Sequence, residues 1–128
     1  MSGYTVTNLK EVEDLTGSRV PEVEGRFARQ ALDSRDLGVS YFRYAPEFRS
    51  SIGHHHREQE EAYVVVSGSG RIKLDDEIID LQQWDVVRVS PEVVRALEAG
   101  PDGLEVIAIG GNRPEGGDGE MIQDWWTE

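Results

Sequence analysis

The chain has 128 residues, no cysteine and a formal net charge of −12. Without cysteine it can form neither disulfides nor thiolate metal sites, and it has no thiol nucleophile. An acidic chain without a cluster of Lys and Arg is not expected to bind nucleic acid or an anionic membrane surface. No apolar run approaches the ~20 residues of a membrane span, and residues 1–7 lack the basic start and the apolar run of a secretory signal. A cytoplasmic location is therefore expected.

The length is that of one domain, which we divide into an N-terminal arm at 1–24, a barrel at 25–110, and a glycine-rich connection with a tryptophan-containing tail at 111–128. The arm is polar and weakly patterned. From Arg26 onward, short runs with β-branched or aromatic residues alternate with turn signals, which is typical of all-β sandwiches and barrels. The predicted strands are 26–32, 39–44, 54–56, 62–67, 71–74, 77–81, 86–89, 95–99 and 104–109.

Three short runs predict chain reversals between these strands. They are Ser-Gly-Ser-Gly at 67–70, Asp-Asp at 75–76 and Gly-Pro-Asp-Gly at 100–103. The glycine-rich run after the last strand predicts a flexible surface connection. Beyond it stand the adjacent Trp125 and Trp126, and leaving their apolar area in water costs roughly 25 cal/mol per Å². We expect the tail to dock on the barrel or on a second subunit.

The most informative stretch contains three consecutive histidines followed by a run of acidic residues. Side chains on a strand alternate between its two faces, so His54 and His56 point to one side and His55 to the other. A turn through 57–60 would bring back a strand on which Glu61 and Tyr63 share a face. If that face lies inside the barrel, two imidazoles and one carboxylate converge. Such a set suits non-haem Fe(II), and also Mn, Ni, Cu or Zn.

This stretch resembles the first motif of the cupin family, in which His-x-His is followed by Glu and then Gly. Here the motif consists of His54, His56, four intervening residues, Glu61, six more and Gly68. The resemblance covers about residues 38–110. It implies a double-stranded β-helix of the jelly-roll type, similar to small single-domain cupins of no assigned activity, and it implies a homodimer.

The family resemblance also bears on the ligands and the activity. The motif tolerates three or four residues between the second histidine and the glutamate, so Glu60 is a reserve ligand. Family members include dioxygenases, isomerases, epimerases, lyases, sugar binders and storage proteins, so the fold does not by itself assign a function. No organic cofactor is predicted.

The second cupin motif is degenerate in this chain. Its histidine, normally the fourth metal ligand, aligns with Arg95, while its first glycine aligns with Trp84 and its asparagine with Ala99. Phe48 stands where the family has a glycine before the first histidine. An arginine is always protonated, and at ~5 Å from a dication, with an effective dielectric of ~20, it would cost on the order of 6 kcal/mol.

Three interpretations follow from Arg95. In the first, His54, His56 and Glu61 hold a divalent metal and Arg95 receives a small, anionic substrate, with oxygenase, isomerase and lyase chemistry all open. In the second, Arg95 replaces the fourth ligand and pairs with Glu61, and a metal-free barrel binds or senses a small ligand. In the third, the inward polar groups are a satisfied core network. The motif spacing favours the first, in which Tyr63 and Arg95 are the catalytic candidates, Tyr63 as a donor of a proton or hydrogen bond.

Overall fold

The computed structural model describes residues 3–111, 114 and 116–127. Apart from a single turn of 3-10 helix at Leu9–Glu11, the regular elements of this part of the chain are strands, so the all-β prediction is confirmed. The eight strands are β1 Val23–Phe27, β2 Gly38–Tyr44, β3 Gly53–His55, β4 Glu61–Leu74, β5 Glu77–Leu81, β6 Val86–Val89, β7 Arg95–Gly110 and β8 Glu120–Ile122. The described residues include no helix with the length and hydropathy needed to cross a membrane.

The two longest strands, β4 and β7, pair with each other along most of their length and organise the sheet. Its order is β1-β2-β7-β3-β8, and β4 additionally pairs with β5 and β6. The beginning of β7 lies against the end of β4 and against β3, where Arg95 is opposite His54. The end of β7 lies against β2 and against the beginning of β4. One curled sheet therefore brings β2, β3, β4 and β7 around a common interior.

Two of the predicted chain reversals are wrong, because the Ser-Gly-Ser-Gly run lies inside β4 and the Gly-Pro-Asp-Gly run lies inside β7. The two runs face each other at a shift in the β4–β7 register. Gly68 and Gly103 both have positive φ values, 77° and 83°, and a Cβ on Gly68 would overlap the carbonyl oxygen of Gly103. Glycine is needed here for close approach of two bent strands. A glycine-rich run in the sequence is equally typical of a bend within a strand and of a reversal between two strands.

The remaining turn predictions have mixed outcomes. The Asp75-Asp76 hairpin is confirmed, since β4 and β5 pair up to Leu74 opposite Glu77. The first strand is shifted relative to its prediction and ends at Phe27. The chain after it folds into turns in which the Leu32 N–H donates to the Ala28 carbonyl.

The core fills the interior between β4 and β7. Val65, Ile72, Leu104 and Val106 are at most 1% exposed, and each such side chain contributes roughly 1.5–3 kcal/mol by its burial. Because Val65 points inward, strand alternation also directs Tyr63 and Glu61 inward. The core thus sets which face of β4 the polar residues occupy.

The tail docks on the barrel, as predicted. Strand β8 pairs with β3, and Trp126 is 2% exposed. The guanidinium carbons of Arg49 and Arg71 lie 4.9 and 5.5 Å from the centre of its ring. The Trp125 N–H donates to the Ser51 carbonyl at 2.7 Å. The tail thus stabilises β3, which carries His54 and His55, along the edge that does not pair with β7.

Candidate metal centre

Two histidines and a glutamate meet inside the barrel. Nε2 of His54 and Nε2 of His56 lie 3.4 and 3.3 Å from Oε1 of Glu61, and the donor atoms of the three residues all lie within 4.8 Å of one another. Donors about 2.1 Å from a shared metal ion are roughly 3–3.5 Å apart in tetrahedral or octahedral geometry. The spacing therefore fits one divalent ion.

The neighbours of these residues occupy other positions. His55 points away from the cluster, and its Nε2 lies 3.2 Å from Oε2 of Glu120 on β8. Glu60, the reserve ligand, is exposed and pairs with Arg88 on β6 at 2.8 Å. The alternation expected from the strand places only Glu61 at the cluster.

Asp118, which the sequence did not single out, fixes the orientation of His56. Its Oδ1 lies 2.9 Å from Nδ1 of His56, and its Oδ2 accepts the backbone N–H groups of Arg57, Glu58 and Gln59 at 3.1, 2.6 and 2.9 Å. Burial raises the pKa of Asp118, but these hydrogen bonds outweigh it and hold the pKa below its usual range. The carboxylate therefore only accepts, and His56 donates through Nδ1.

This orientation leaves the other nitrogen of His56 as the atom that faces Glu61. Nε2 is buried and has no hydrogen-bond partner among the described residues, although Oε1 of Glu61 is 3.3 Å away. In the neutral imidazole this nitrogen carries a lone pair, so two acceptors face each other. Either a cation between them or a second proton on His56 relieves that repulsion. A carboxylate behind a histidine is the usual support of a metal-binding imidazole.

Tyr63 and the histidines determine the charge state of Glu61. Burial raises the pKa of this carboxyl group, but the hydrogen bonds with His54 and from Tyr63 outweigh it and lower the pKa to about 2. The Tyr63 hydroxyl donates to Oε1 of Glu61 at 2.8 Å. Burial, reinforced by the Glu61 charge, raises the pKa of Tyr63 well above its usual range. Tyr63 therefore stays neutral and orients an ionised Glu61.

Arg95 lies inside the barrel, as the motif alignment predicts, and is 1% exposed. Its Nη2 donates to the Ser90 carbonyl at 3.1 Å and its Nη1 to the His54 carbonyl at 3.4 Å. Its buried Nε has no acceptor among the described residues. The ion pair with Glu61 that the metal-free interpretation requires is not found among them either. The guanidinium thus ties β3 to the chain after β6.

These groups open into a cavity of about 770 Å³, within the range of pockets that hold small organic ligands. Its lining includes His54, His56, Glu61 and Tyr63 together with aromatic side chains of β1 and β2. Residues 116–119 close part of the mouth, with Asp118 only 4% exposed. At Asp118 the glycine-rich run therefore packs against the barrel, while Gly116 and Gly119 are exposed; residues 112, 113 and 115 of the run lie outside the described residues, and its flexibility stays a prediction.

Comparison with known proteins yields fold relatives only. No protein-family profile and no curated protein matches the chain. Among solved structures, the chain is similar to a cupin protein from Bacteroides fragilis, with a TM-score of 0.72 and 23% identity over 88% of this chain and 86% of that one. A Streptomyces nucleoside dehydratase has a TM-score of 0.73 and 16% identity over 97% and 92%. Salicylate 1,2-dioxygenase from Pseudaminobacter salicylatoxidans has a TM-score of 0.65 and 13% identity over 73% of this chain and 27% of its own.

The protein is therefore a small cupin-type barrel, and the fold predicted from the first motif is confirmed. Its interior carries a cluster of His54, His56 and Glu61 that is compatible with metal binding. At these levels of identity the likeness establishes the fold and not an activity.

Proposed function

We propose that this chain is a metal-binding cupin in which His54, His56 and Glu61 hold one divalent ion and a small organic molecule is transformed in the adjoining cavity. The observation that carries the proposal is the convergence of these three donors around the buried, unpartnered Nε2 of His56. Fe, Mn, Ni, Cu and Zn all suit two imidazoles and a carboxylate. Oxygenase, isomerase and lyase reactions are each compatible with this site.

A bound metal would supply Lewis acidity and a fixed point for the ligand. The chain's own residues contribute orientation and charge. Asp118 holds His56 with Nε2 toward the cluster, and Tyr63 directs Oε1 of Glu61 to the same point. Arg95 holds the backbone of His54 from the side. The three ligands are thus positioned before a metal arrives, which lowers the cost of ordering them on binding.

Elemental analysis of the untagged protein, purified without added metal or chelator, tests this proposal. We expect about one metal ion per chain from the three-ligand set. The double variant H54A/H56A should contain almost none, while the matched variant His55→Ala, which alters the outward histidine, should retain the parent's content. Equal metal content in H54A/H56A and the parent would refute the ligand assignment.

A metal-free ligand-binding or sensing barrel is the second candidate, and the surroundings of His56 favour it. Carboxylate oxygens lie 2.9 and 3.3 Å from the two ring nitrogens, so a doubly protonated His56 would satisfy both without a metal. Arg95 then stands where the family has its fourth ligand. A parent that stays metal-free after anaerobic addition of Fe(II), together with an Arg95→His variant that gains tight metal binding, would support this candidate. One metal per parent chain would exclude it.

We also propose that the chain is a homodimer, which rests on its resemblance to the cupin family. Sedimentation equilibrium should give twice the chain mass of 14.3 kDa. A mass that stays at the monomer value up to the highest usable concentration would refute the dimer.

A further inference from the structure

Most of the described basic residues have an acidic partner, but those that line the cavity do not. Seven of the described basic side chains pair with an acidic side chain: Lys10, Arg26, Arg35, Arg43, Arg49, Arg71 and Arg88. The three that line the cavity, Arg29, Arg57 and Arg95, have no carboxylate partner in the described part of the chain. Of the other described basic residues, the exposed Arg19 has none either, and Lys73 instead contacts the carbonyl and ring of Trp125. The protein has 25 acidic and 13 basic residues, so most arginines are expected to find a carboxylate partner. The three cavity arginines are an exception to this expectation.

The carboxylates that line the cavity do not neutralise these arginines. Glu61 is engaged by His54 and Tyr63, and Asp118 by His56 and three backbone N–H groups. Arg95 is 1% exposed and donates to two backbone carbonyls, those of Ser90 and His54. The other two arginines are available for a ligand.

Arg57 and Arg29 lie in the cavity lining near its mouth. Arg57 is exposed and follows directly after His56. Arg29 has one long hydrogen bond, from Nη2 to the Gly111 carbonyl at 3.4 Å, and packs over Gly38 of β2. A guanidinium presents a planar fork that matches the two oxygens of a carboxylate. The cavity lining therefore carries two guanidinium forks without a carboxylate partner.

Aromatic rings form the wall of the cavity next to Arg29. Phe42 and Tyr44 lie on the same, inward face of β2 and stack with ring centres 6.3 Å apart. Phe27 of β1 packs edge-on against Phe42 at 5.4 Å and remains 43% exposed. A partly exposed ring beside a stacked pair favours a flat, apolar partner.

We propose that the cavity binds a small aromatic carboxylate, with its carboxylate held by Arg57 and Arg29 and its ring against Phe27 and Phe42. The proposal deepens and rests on the proposed function, because it assigns a substrate class to the same cavity. The cationic mouth selects the charge of the ligand and the aromatic wall selects its shape. A neutral aromatic amide meets only the wall, and a small aliphatic carboxylate meets only the mouth.

Calorimetric titration of the full-length protein with benzoate, benzamide and acetate tests the proposal, both as purified and after metal removal with chelator. Benzoate should bind at least about tenfold more tightly than either of the others, since each lacks one of the two interactions. Arg57→Gln and Arg29→Gln should each weaken benzoate about tenfold, the loss expected for one charge-assisted contact, and leave benzamide unchanged. Phe27→Leu should weaken benzoate and leave acetate unchanged. The matched control Arg19→Gln, which alters an exposed arginine outside the cavity, should change nothing.

The outcomes separate this proposal from the metal site. Equal affinity for benzoate and benzamide, or benzoate binding that is unaffected by both arginine variants, overturns the ligand assignment even if the parent holds one metal per chain. Selective, Arg57-dependent benzoate binding in a protein that never takes up metal supports the ligand assignment and refutes the metal site. Circular dichroism and the melting temperature of each variant identify loss of folding as the cause of any lost binding.

Discussion

Replacing Asp118 with asparagine should weaken metal binding without unfolding the barrel. The native carboxylate accepts on both oxygens, from His56 on one side and from the backbone N–H groups of Arg57, Glu58 and Gln59 on the other. An asparagine has only one oxygen. Directed at the three backbone donors, it turns its NH₂ group toward Nδ1 of His56. The histidine must then accept at Nδ1 and carry its proton on Nε2, where it cannot bind a metal.

The size of the effect follows from this change of tautomer. Removing the partner that orients a metal-binding histidine typically costs 10–100-fold in affinity, about 1.4–2.8 kcal/mol. The loss should be specific to the metal, because the backbone hydrogen bonds of Oδ2 have a replacement in the asparagine oxygen. We therefore expect the free energy of unfolding of the metal-free variant to fall by only about 1 kcal/mol.

Competition with a chromophoric chelator measures the metal affinity of the parent and of Asp118→Asn, and urea unfolding measures their stability. The matched variant Asp80→Asn changes an exposed aspartate on β5 and should behave as the parent. Unchanged metal affinity in Asp118→Asn would show that Asp118 does not orient a metal ligand. An equal loss of stability in the metal-free and metal-loaded forms would show that its role is structural.

Three further predictions concern the scaffold. Hydrogen bonds from Lys10 and Arg26 lower the pKa of Glu24 from 4.5 to about 2. The contribution of Glu24 to the free energy of unfolding is therefore present above pH 4.5 and lost as the pH falls toward 2. In urea unfolding, the free energy of unfolding of Glu24→Gln should fall less steeply between pH 4.5 and 2 than that of the parent. Trp126→Ala removes a 2% exposed side chain and should lower the free energy of unfolding by about 3–5 kcal/mol, whereas retention within 1 kcal/mol would refute the role of the docked tail. Gly68→Ala, at a φ of 77° and against the facing strand, should destabilise the barrel in the same assay by more than the ~1 kcal/mol of an ordinary left-handed alanine.

The sequence by itself determined the part of the site that depends on strand alternation. Side chains alternate between the two faces of a strand, so local sequence places His54 and His56 on one side of their strand and Glu61 and Tyr63 on one side of the next. The motif resemblance then predicted that both of these sides face the interior. The same alignment placed Arg95 inside, because a strand framework survives even where the motif's own residues do not.

Only the tertiary structure decided what surrounds those side chains. Asp118 meets His56 across 62 residues, through the pairing of β8 with β3, and no local pattern in a glycine-rich run marks such a contact. The pairing state of Arg29 and Arg57 likewise depends on which carboxylates fold near them, in a chain where acidic residues are abundant everywhere. The glycine runs that contain Gly68 and Gly103 were predicted to reverse the chain, and this was wrong because whether such a run bends or reverses the chain is decided by the strand it pairs with. Local geometry therefore specified which side chains share a face, and long-range packing specified their orientation, charge and access.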